Sequence, residues 1–393
     1  MNEAVIVSYA RTPIGRFQGG LAGLTAMDLG GIAIKAALER AGVTGDQVDQ
    51  VFMGHVLQAG QGQITARQAA IKGGVAMNIP AVTINTVCLS GMTAIQLARQ
   101  QVLLGEADIV VAGGMESMSN APYVLPKART GYRMGNGVLL DSMIHDGLWC
   151  AFDNCHMGEG SDAKNTEYNI SRLEQDEWSA QSHERAVTAW KDGKFAGEVV
   201  PVEIPQRKGD PVVVDTDEGM RPGTTAESLG GLAPAFVKDG TITAGNASQV
   251  SDGGSAVIVM SRAKADELGI APLAEILAYG TVAGPDPSLH HQPAAAIRNA
   301  AAKIGADASG FDLYEMNEAF ASVAIHSKNL LGVDASKVNV NGGAVAIGHP
   351  IGSSGARVVV TLLNELRNRG GGTGAAALCG GGGQGDALVI RTV

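Results

Sequence analysis

Apolar and polar positions alternate along much of the chain with two periods, and residues 81–104 show both. Residues 81–85 have β-branched residues at alternate positions, which predicts a strand. From Leu89 onward no proline interrupts the segment, and its apolar residues recur at helical spacing: Met92, Ile95, Leu97, Ala98, Val102 and Leu103. The pattern predicts a strand followed by a helix, with Cys88 at the turn between them.

The two ends of the chain carry similar patterns in the same order. The matching pairs are 4–15 with 274–285, 49–55 with 311–318, 81–91 with 338–355, and 108–117 with 375–389. We interpret residues 375–389 as one apolar strand that ends in glycines. Helical patterns lie between these segments, at 25–41, 293–304 and 356–369. Such alternation predicts parallel sheets covered by helices, in two pseudo-symmetric α/β domains. Duplication is one explanation, and chance likeness of generic α/β sequence is the other.

Residues 119–245 are more polar and loop-like. One clear helix stands out at Arg172–Lys191, where Ser171 and Glu174 form a capping box. Strand and helix patterns return at 255–260 and 263–268. We therefore predict an N-terminal domain of residues 1–118 completed by 246–269, a loop domain of residues 119–245 that covers the active-site face, and a C-terminal domain of residues 270–393.

Composition and charge exclude several classes of protein. The chain has 393 residues, of which 54 are glycine, and a formal net charge of −10. This acidic balance argues against a general nucleic-acid binder, which needs clustered lysine and arginine. No apolar run is long enough for a membrane span, and the N-terminus lacks the features of a signal peptide. We therefore expect a cytoplasmic protein without membrane contact.

Four cysteines are present, at Cys88, Cys150, Cys155 and Cys379, without C-x-x-C or zinc spacing. We expect free thiols and no metal site. Cys88 is a candidate nucleophile, because unpaired N–H groups and the helix dipole at a helix N-terminus both favour the thiolate. The alternative is a buried cysteine that serves only as a small apolar residue.

Three stretches of the second half carry further chemistry. They are E-M-N-E-A-F at 315–320, N-V-N-G-G-A-V-A-I-G-H-P-I-G-S-S-G at 339–355, and L-C-G-G-G-G-Q-G at 378–385. His349 lies between a glycine and a proline, which suggests a rigid loop rather than a helix face. The glycines after Cys379 can direct several N–H groups at one point, as an oxyanion site requires. A structural turn would explain the same glycines.

Four motifs together are specific. They are, in chain order, N-x-x-C-x-S-G, N-E-A-F, N-G-G-A-x-A-x-G-H-P-x-G-x-S-G and C-x-G-G-G-x-G. In this order and spacing they resemble the thiolase family over essentially the whole chain, and most closely its acetyl-CoA C-acetyltransferase branch. The resemblance implies the thiolase fold, in which two pseudo-symmetric α/β domains form a layered αβαβα core with an inserted loop domain. It also implies a homo-oligomer, either a tetramer or a dimer.

The resemblance implies a chemistry for these residues. Cys88 would be the nucleophile that carries an acetyl group, His349 its activator, and Cys379 the acid/base for the second substrate. His349, with a water held by Asn317, would form one oxyanion site, and the N–H groups of Cys88 and Gly381 the other. The reaction would convert two acetyl-CoA into acetoacetyl-CoA and CoA, reversibly, with these thioesters as substrates and without a cofactor.

By matching positions, the resemblance also implies a CoA site. Its residues would be Leu148, His156, Met157, Arg221, Ser228, Leu232, Phe236 and Ser248. Taken singly, each of these could instead serve loop packing.

The sequence departs from the family near the expected acyl pocket. Where the family often has M-G-x-G-P, residues 288–293 are S-L-H-H-Q-P, and Gln249 replaces a common glycine. Trp149 and two cysteines at 149–155 are also unusual. The departures leave open a degradative 3-ketoacyl-CoA thiolase that acts on longer or substituted chains. A ketoacyl synthase fits the sequence less well, because such enzymes generally pair one cysteine with two histidines. A non-catalytic acyl-CoA binder also fits less well, because it would have lost one of the reactive residues.

Overall fold

The computed structural model describes residues 2–393. The strands of this part of the chain are β1 (Ala4–Arg11), β2 (Gly15–Arg16), β3 (Gln50–Gly54), β4 (Ala81–Ile84), β5 (Ile109–Ser117), β6 (Tyr123–Val124), β7 (Leu140–Asp141), β8 (Trp149–Cys150), β9 (Cys155–His156), β10 (Val202–Ile204), β11 (Val212–Val214), β12 (Ser251–Ser261), β13 (Ala274–Ala283), β14 (Leu313–Met316), β15 (Thr373–Gly380) and β16 (Gln384–Thr392).

The helices of the described residues are α1 (Ala26–Ala41), α2 (Thr65–Lys72), α3 (Ser90–Leu104), α4 (Met157–Glu167), α5 (Arg172–Lys191), α6 (Ala226–Gly230), α7 (Arg262–Leu268), α8 (Gln292–Lys303), α9 (Ala321–Leu331), α10 (Ala344–Ile347) and α11 (Ile351–Asn368). A π-helical turn covers Met143–Leu148, and 3₁₀ turns cover Met118–Asn120 and Ala335–Lys337. None of these helices is long and apolar enough to cross a membrane.

Local sequence explains where the predicted helices begin. Thr25 caps α1 and exchanges hydrogen bonds with Asp28 in a capping box, and Gly42 ends the helix in the left-handed region. The predicted capping box of Ser171 and Glu174 opens α5. Both boxes satisfy N–H groups that the first turn of a helix leaves unpaired.

The long strands form one sheet system in the order β4-β3-β5-β12-β1-β13-β16-β15-β14, and only a short pairing of β1 with β13 joins its halves. Strands β3–β4, β3–β5 and β14–β15 are parallel. The prediction of parallel sheets is wrong for the remaining pairs, because β5–β12–β1 and β15–β16–β13 are antiparallel. A continuously apolar strand sequence indicates that both faces of the strand are buried, but it does not indicate whether the strand runs parallel or antiparallel to its neighbours.

The two halves repeat one topology. In the second half, β13, β14, β15 and β16 take the places that β1, β3, β5 and β12 hold in the first. The counterpart of β4 is reduced to a single bridge between Tyr314 and Val338. Even the register shifts correspond, between Ile6 and Ser8 in β1 and between Ile276 and Ala278 in β13. The predicted pseudo-symmetry is confirmed at the level of strand order.

Five layers follow from the packing. Helices α3 and α11 lie in the middle, in one apolar core with residues from both halves of the sheet. Helices α1 and α2 cover the outer face of the first half, and α8 and α9 that of the second. Alternate strand residues divide between the cores: Val110 faces the central layer and Val111 the outer one.

The central helices approach closely at their N-terminal ends. A Cβ on Gly91 of α3 would lie 2.6 Å from the backbone nitrogen of Ala356, and one on Gly355 of α11 would lie 2.4 Å from that of Met92. Only glycine permits this contact, which explains why two motifs end in S-G. The contact brings the residues just before each helix, Cys88 and His349, to the same place.

Residues 119–245 contain more regular structure than expected, since α4 and α6 accompany α5. Helix α4 has little amphipathic pattern, so sequence periodicity did not reveal it. This region is fixed to β1 by the buried Arg11, which bonds Glu198 at 2.6 Å and Asp217 at 2.7 Å. The expectation of one apolar strand over residues 375–389 is also wrong, because the glycine run reverses the chain between β15 and β16.

Candidate active site

Cys88 lies at a tight turn between β4 and α3. The preceding residue, Val87, has a φ of +54°, which is costly for a β-branched residue. Two motif side chains hold the turn: Asn85 Oδ1 accepts from the N–H of Val87 at 3.0 Å, and Ser90 Oγ accepts from Thr86 N at 2.9 Å and donates to the Val87 carbonyl at 2.6 Å. Asn85 and Ser90 therefore set the direction in which Cys88 points.

His349 lies at the corresponding turn before α11. Its backbone N–H donates to the carbonyl of Gln249 at 3.1 Å. Its Nε2 lies 3.3 Å from the Cys88 sulfur, and its Nδ1 lies 2.6 Å from Ser354 Oγ. Because Ser354 donates its only proton to the Pro350 carbonyl at 2.9 Å, it accepts from Nδ1–H. The imidazole thus keeps an unprotonated Nε2 facing the Cys88 thiol.

Asn317 lies on the other side of the imidazole. Its Nδ2 is 3.4 Å from His349 Nε2, and its buried Oδ1 has no hydrogen-bond partner among the described residues. A buried amide oxygen without a partner is a site for a bound water or a substrate group. Asn317 follows β14, and its own N–H donates to the Ala377 carbonyl of β15 at 2.9 Å.

The neighbouring residue, Glu318, holds the local loops together. Its carboxylate is fully buried and accepts from Trp178 Nε1 at 2.9 Å, Ser182 Oγ at 2.9 Å, Asn339 Nδ2 at 2.8 Å and the N–H of Val345 at 3.1 Å. These donors come from α5, the loop after α9 and α10. Motif reading did not assign Glu318 any role, although it lies inside N-E-A-F.

Cys379 and Gly381 complete the cluster from the end of β15. Cys379 is fully buried. The backbone N–H groups of Gly381 and Cys88 lie close to the Cys88 sulfur, where they oppose the rise of its pKa that burial causes. These two donors therefore converge where an acyl group on Cys88 would place its oxygen.

Burial dominates the protonation of these groups. It raises the pKa of Cys88 to about 12, against the opposing effect of the two backbone N–H groups. Burial, with the charge of Arg357, lowers the pKa of His349 to about 3, and burial raises the pKa of Cys379 well above its ordinary value. The expectation that N–H groups near Cys88 favour its thiolate agrees in direction with these two donors, but loss of hydration raises the pKa of Cys88 by more.

These groups share one pocket with largely apolar walls. It is lined by Val87, Cys88, Gly147, Leu148, Met157, Ser248, Leu289, Ala319, Phe320, His349, Ile351, Cys379 and Gly381. Of the residues predicted to bind CoA, Leu148, Met157 and Ser248 are therefore beside the catalytic cluster. Asn317 does not line the pocket itself but reaches it through His349.

The other predicted CoA residues lie farther out. His156 stacks on Phe236 with ring centroids 4.5 Å apart, and Phe236 packs edge-on against the pocket residue Phe320 at 6.1 Å. Arg221, Ser228 and Leu232 do not line the pocket. Leu232 lies near Gly245, and Ser228 belongs to the capping box of α6.

Comparison with known proteins gives a consistent result. The family model described as "Thiolase, N-terminal domain" matches residues 4–263, and "Thiolase, C-terminal domain" matches residues 270–392. The chain belongs to the thiolase family. This membership agrees with the five-layer fold and with the motifs around Cys88, His349 and Cys379.

Individual relatives are similar over their full length. A probable acetyl-CoA acetyltransferase of Mycolicibacterium smegmatis is 57% identical over 98% of this chain and 100% of its own. The acetyl-CoA acetyltransferase of Cupriavidus necator is 53% identical over 100% of both chains. The crystal structure of the Bacillus anthracis acetyl-CoA acetyltransferase superposes with a TM-score of 0.97, at 41% identity over 100% of this chain and 99% of that one.

The structure locates the residues by which this thiolase departs from the common family sequence. In the S-L-H-H-Q-P loop, Leu289 enters the catalytic pocket, whereas His290 points into the protein and its Nε2 lies 2.8 Å from Asn165 Oδ1. Gln249 does not line the pocket. Its Nε2 donates to the carbonyls of Gly219 at 2.9 Å and Val345 at 3.0 Å, and so braces the loop before His349. Leu289 is thus the departure that faces the substrate.

Proposed function

We propose that this thiolase catalyses the reversible Claisen condensation of two acetyl-CoA to acetoacetyl-CoA and CoA through an acetyl-Cys88 intermediate. The observation that carries the proposal is the unprotonated Nε2 of His349 at 3.3 Å from the Cys88 thiol, in a pocket that also holds a second cysteine. The names of the relatives support the acetyl substrate and do not favour the alternative of a thiolase for longer chains.

In the first half-reaction, Cys88 is acylated. His349 Nε2 takes the thiol proton as the sulfur attacks the thioester carbonyl, so no free thiolate accumulates. The N–H groups of Cys88 and Gly381 stabilise the oxyanion that develops beside that sulfur. The CoA thiolate leaves and acquires a proton from the imidazolium, which restores neutral His349.

In the second half-reaction, Cys379 acts as the base. Burial is the main cause of the high pKa of Cys379, so its thiol must first lose its proton to solvent before it can act as the base. Cys379 then takes a proton from the methyl group of the second acetyl-CoA. His349 and a water held by Asn317 stabilise the enolate oxygen, and the carbanion attacks the acetyl-Cys88 carbonyl. The acyl C–S bond then breaks, and the Cys88 sulfur takes up a proton from solvent, which restores the thiol. In thiolysis the same groups act in reverse.

The remaining assignments are also proposals. Leu148, His156, Met157, Arg221, Ser228, Leu232, Phe236 and Ser248 would bind the CoA of each substrate, and Arg221 suits a phosphate or adenine. The steps above use only side chains, backbone N–H groups and a water, so we propose that no metal or cofactor takes part. The four free cysteines support a reducing, cytoplasmic location.

We further propose a homo-oligomer, either a dimer or a tetramer. Strand β4 is the free edge of the first half-sheet, and Val82 on it is 43% exposed. The hairpin of β6 and β7 presents exposed apolar side chains, among them Met134 at 98% exposure. Unpaired edges and apolar patches of this kind favour association with a second copy. Light scattering coupled to size-exclusion chromatography gives the state directly, and a monomer at micromolar concentration would contradict this proposal.

The acyl-enzyme tests the proposed function. Protein mixed with acetyl-CoA and analysed by intact mass should gain one acetyl group, and Cys88→Ala should gain none. Steady-state assays should then show condensation of acetyl-CoA and thiolysis of acetoacetyl-CoA by the same preparation. Absence of the adduct from the wild type, or its persistence in Cys88→Ala, would refute the assignment of the nucleophile.

A further inference from the structure

A second pair of cysteines faces each other outside the catalytic pocket. Strands β8 and β9 form a short antiparallel hairpin in which Cys150 lies opposite Cys155 and Trp149 opposite His156. Both cysteines are free thiols. Residues paired across antiparallel strands have Cα atoms about 4.5–5.5 Å apart, which lies within the range of about 4.4–6.8 Å that a disulfide spans. The strand pairing therefore places the two cysteines opposite each other at a Cα separation that a disulfide can span.

The surroundings of the pair leave it open to a small oxidant. Cys150 lines a cavity of about 240 Å³ that shares Met157 and Leu289 with the catalytic pocket, and Cys155 is partly exposed. The Cys150 sulfur accepts a hydrogen bond from the N–H of Asp153 at 3.4 Å. Burial and the charge of Glu159 raise the pKa of Cys155, so the pair reacts faster in mildly alkaline solution.

The hairpin also connects to the catalytic pocket at three points. Leu148 comes directly before it and Met157 directly after it, and both line the pocket. His156 within it stacks on Phe236 at 4.5 Å. At its tip, Phe152 lies against Gly382, since a Cβ on that glycine would be 3.0 Å from the phenyl ring. A change in the hairpin would therefore reach the walls of the pocket and the loop that carries Gly381.

We propose that Cys150 and Cys155 are a reversible redox modification site whose disulfide tightens this hairpin and weakens binding of the CoA thioester. The oxidant is a peroxide. Its O–O bond breaks as one oxygen passes to a thiol sulfur, which becomes a sulfenic acid, and the other oxygen leaves as water or an alcohol; the second thiol attacks the sulfenic sulfur, forms the S–S bond and expels water. A dithiol reverses the reaction by exchange and is itself oxidised to a disulfide. The effect on binding rests on the proposed function, but formation of the disulfide does not.

Peptide mapping tests the bond itself. The tryptic peptide of residues 134–164 contains both cysteines and neither Cys88 nor Cys379. Folded protein is treated with hydrogen peroxide at about pH 8, where a thiol of raised pKa still reacts, then alkylated under denaturing conditions and digested. We expect this peptide to lose two hydrogens and to take no alkyl label, and to recover both labels after dithiothreitol. A peptide that stays doubly alkylated, or one that carries only sulfinic or sulfonic acids, would overturn the proposal.

Kinetics test the connection to the pocket. Peroxide damage to Cys88 lowers kcat through loss of active molecules, whereas a tightened hairpin should raise KM for acetyl-CoA about three- to tenfold, the effect of losing one aromatic stack. Cys150→Ser and Cys155→Ser should each keep the KM of the reduced wild type after peroxide. An unchanged KM in the disulfide-bonded wild type would overturn the coupling. A reduced protein without any thiolase activity would instead count against the proposed function and leave the mapping result intact.

Discussion

His349 Nδ1 and Ser354 Oγ lie 2.6 Å apart. Because the Ser354 hydroxyl donates its proton to the Pro350 carbonyl, it accepts a hydrogen bond from His349 Nδ1–H. The serine is thus an acceptor that selects the tautomer of the catalytic base. A histidine with its proton on Nε2 could not take one from Cys88.

Ser354→Ala should slow acetylation of Cys88 about tenfold to a hundredfold, since part of the general-base effect depends on the tautomer. Stopped-flow or quenched-flow mass measurement of the acetyl-enzyme checks this. The matched control is Ser353→Ala, which removes an equally buried hydroxyl that bonds Ser255 at 3.0 Å. Equal losses in the two variants would contradict a role for Ser354 in orienting His349.

The pH dependence of acylation follows from the two pKa values. The pKa of His349 is about 3, so its imidazole is neutral at any higher pH. The pKa of Cys88 is about 12, so its thiol keeps its proton at any lower pH. The rate constant kcat/KM for acylation should therefore stay level within about twofold from about pH 5 to about pH 9. A bell-shaped profile centred near neutrality would show instead that a thiolate–imidazolium pair is present in the free enzyme.

Cys379→Ala should separate the two half-reactions. Acetylation of Cys88 should continue at close to the wild-type rate, because His349 and the two N–H donors are untouched. Condensation should fall by a factor of about 10²–10⁴, the usual effect of losing a positioned base. Intact mass follows the first step and acetoacetyl-CoA absorbance the second. Parallel loss of both steps would contradict the division of labour between the cysteines.

Leu289→Ala should broaden the acyl specificity, because Leu289 is the one residue of its loop that lines the catalytic pocket. The ratio of kcat/KM for thiolysis of a six-carbon against a four-carbon 3-ketoacyl-CoA should rise about tenfold, as expected for opening space for two methylene groups. Ser288→Ala, one residue away and outside the catalytic pocket, should leave the ratio unchanged. An unaltered ratio in Leu289→Ala would mean that another wall limits the chain.

Glu318→Gln should destabilise the protein. The change places an amide NH₂ among four groups that donate to the carboxylate, and so leaves buried donors without an acceptor. We expect the free energy of unfolding in urea to fall by about 2–4 kcal/mol. Glu177→Gln, on the exposed face of the same helix as Trp178, should change it by less than about 0.5 kcal/mol. Similar values for the two variants would contradict the importance of the buried network.

The sequence predicted the reacting residues better than it predicted the residues that hold them in position. Cys88, His349, Cys379 and Gly381 lie in short motifs whose residue types already indicate chemistry, and the structure gathers them in one pocket. Ser354 lies in the same motif as His349, but a serine in the first turn of a helix resembles an ordinary cap. Its role depends on a distance across that turn, which the sequence does not contain.

Burial and strand direction are likewise properties of the assembled molecule. The sequence places Cys88 just before a helix, but the direction of its pKa shift depends on burial by residues from several parts of the chain, among them Leu57, Met118 and Ile351. Strands β12 and β16 have the apolar sequence of buried parallel strands and run antiparallel to their neighbours. Leu289 could be recognised as a departure, but only the fold shows that it, and not His290, faces the pocket.

The close crossing of α3 and α11 at Gly91 and Gly355 has a consequence for synthesis on the ribosome. The nucleophile and its base are 261 residues apart in the chain, and the core between the two central helices is shared by both halves. A nascent chain that has released only its first half carries Cys88 without His349 and without the layer that buries it. Catalytic competence therefore arrives only with the last quarter of translation, and a prematurely terminated product lacks the base that the acylation step requires.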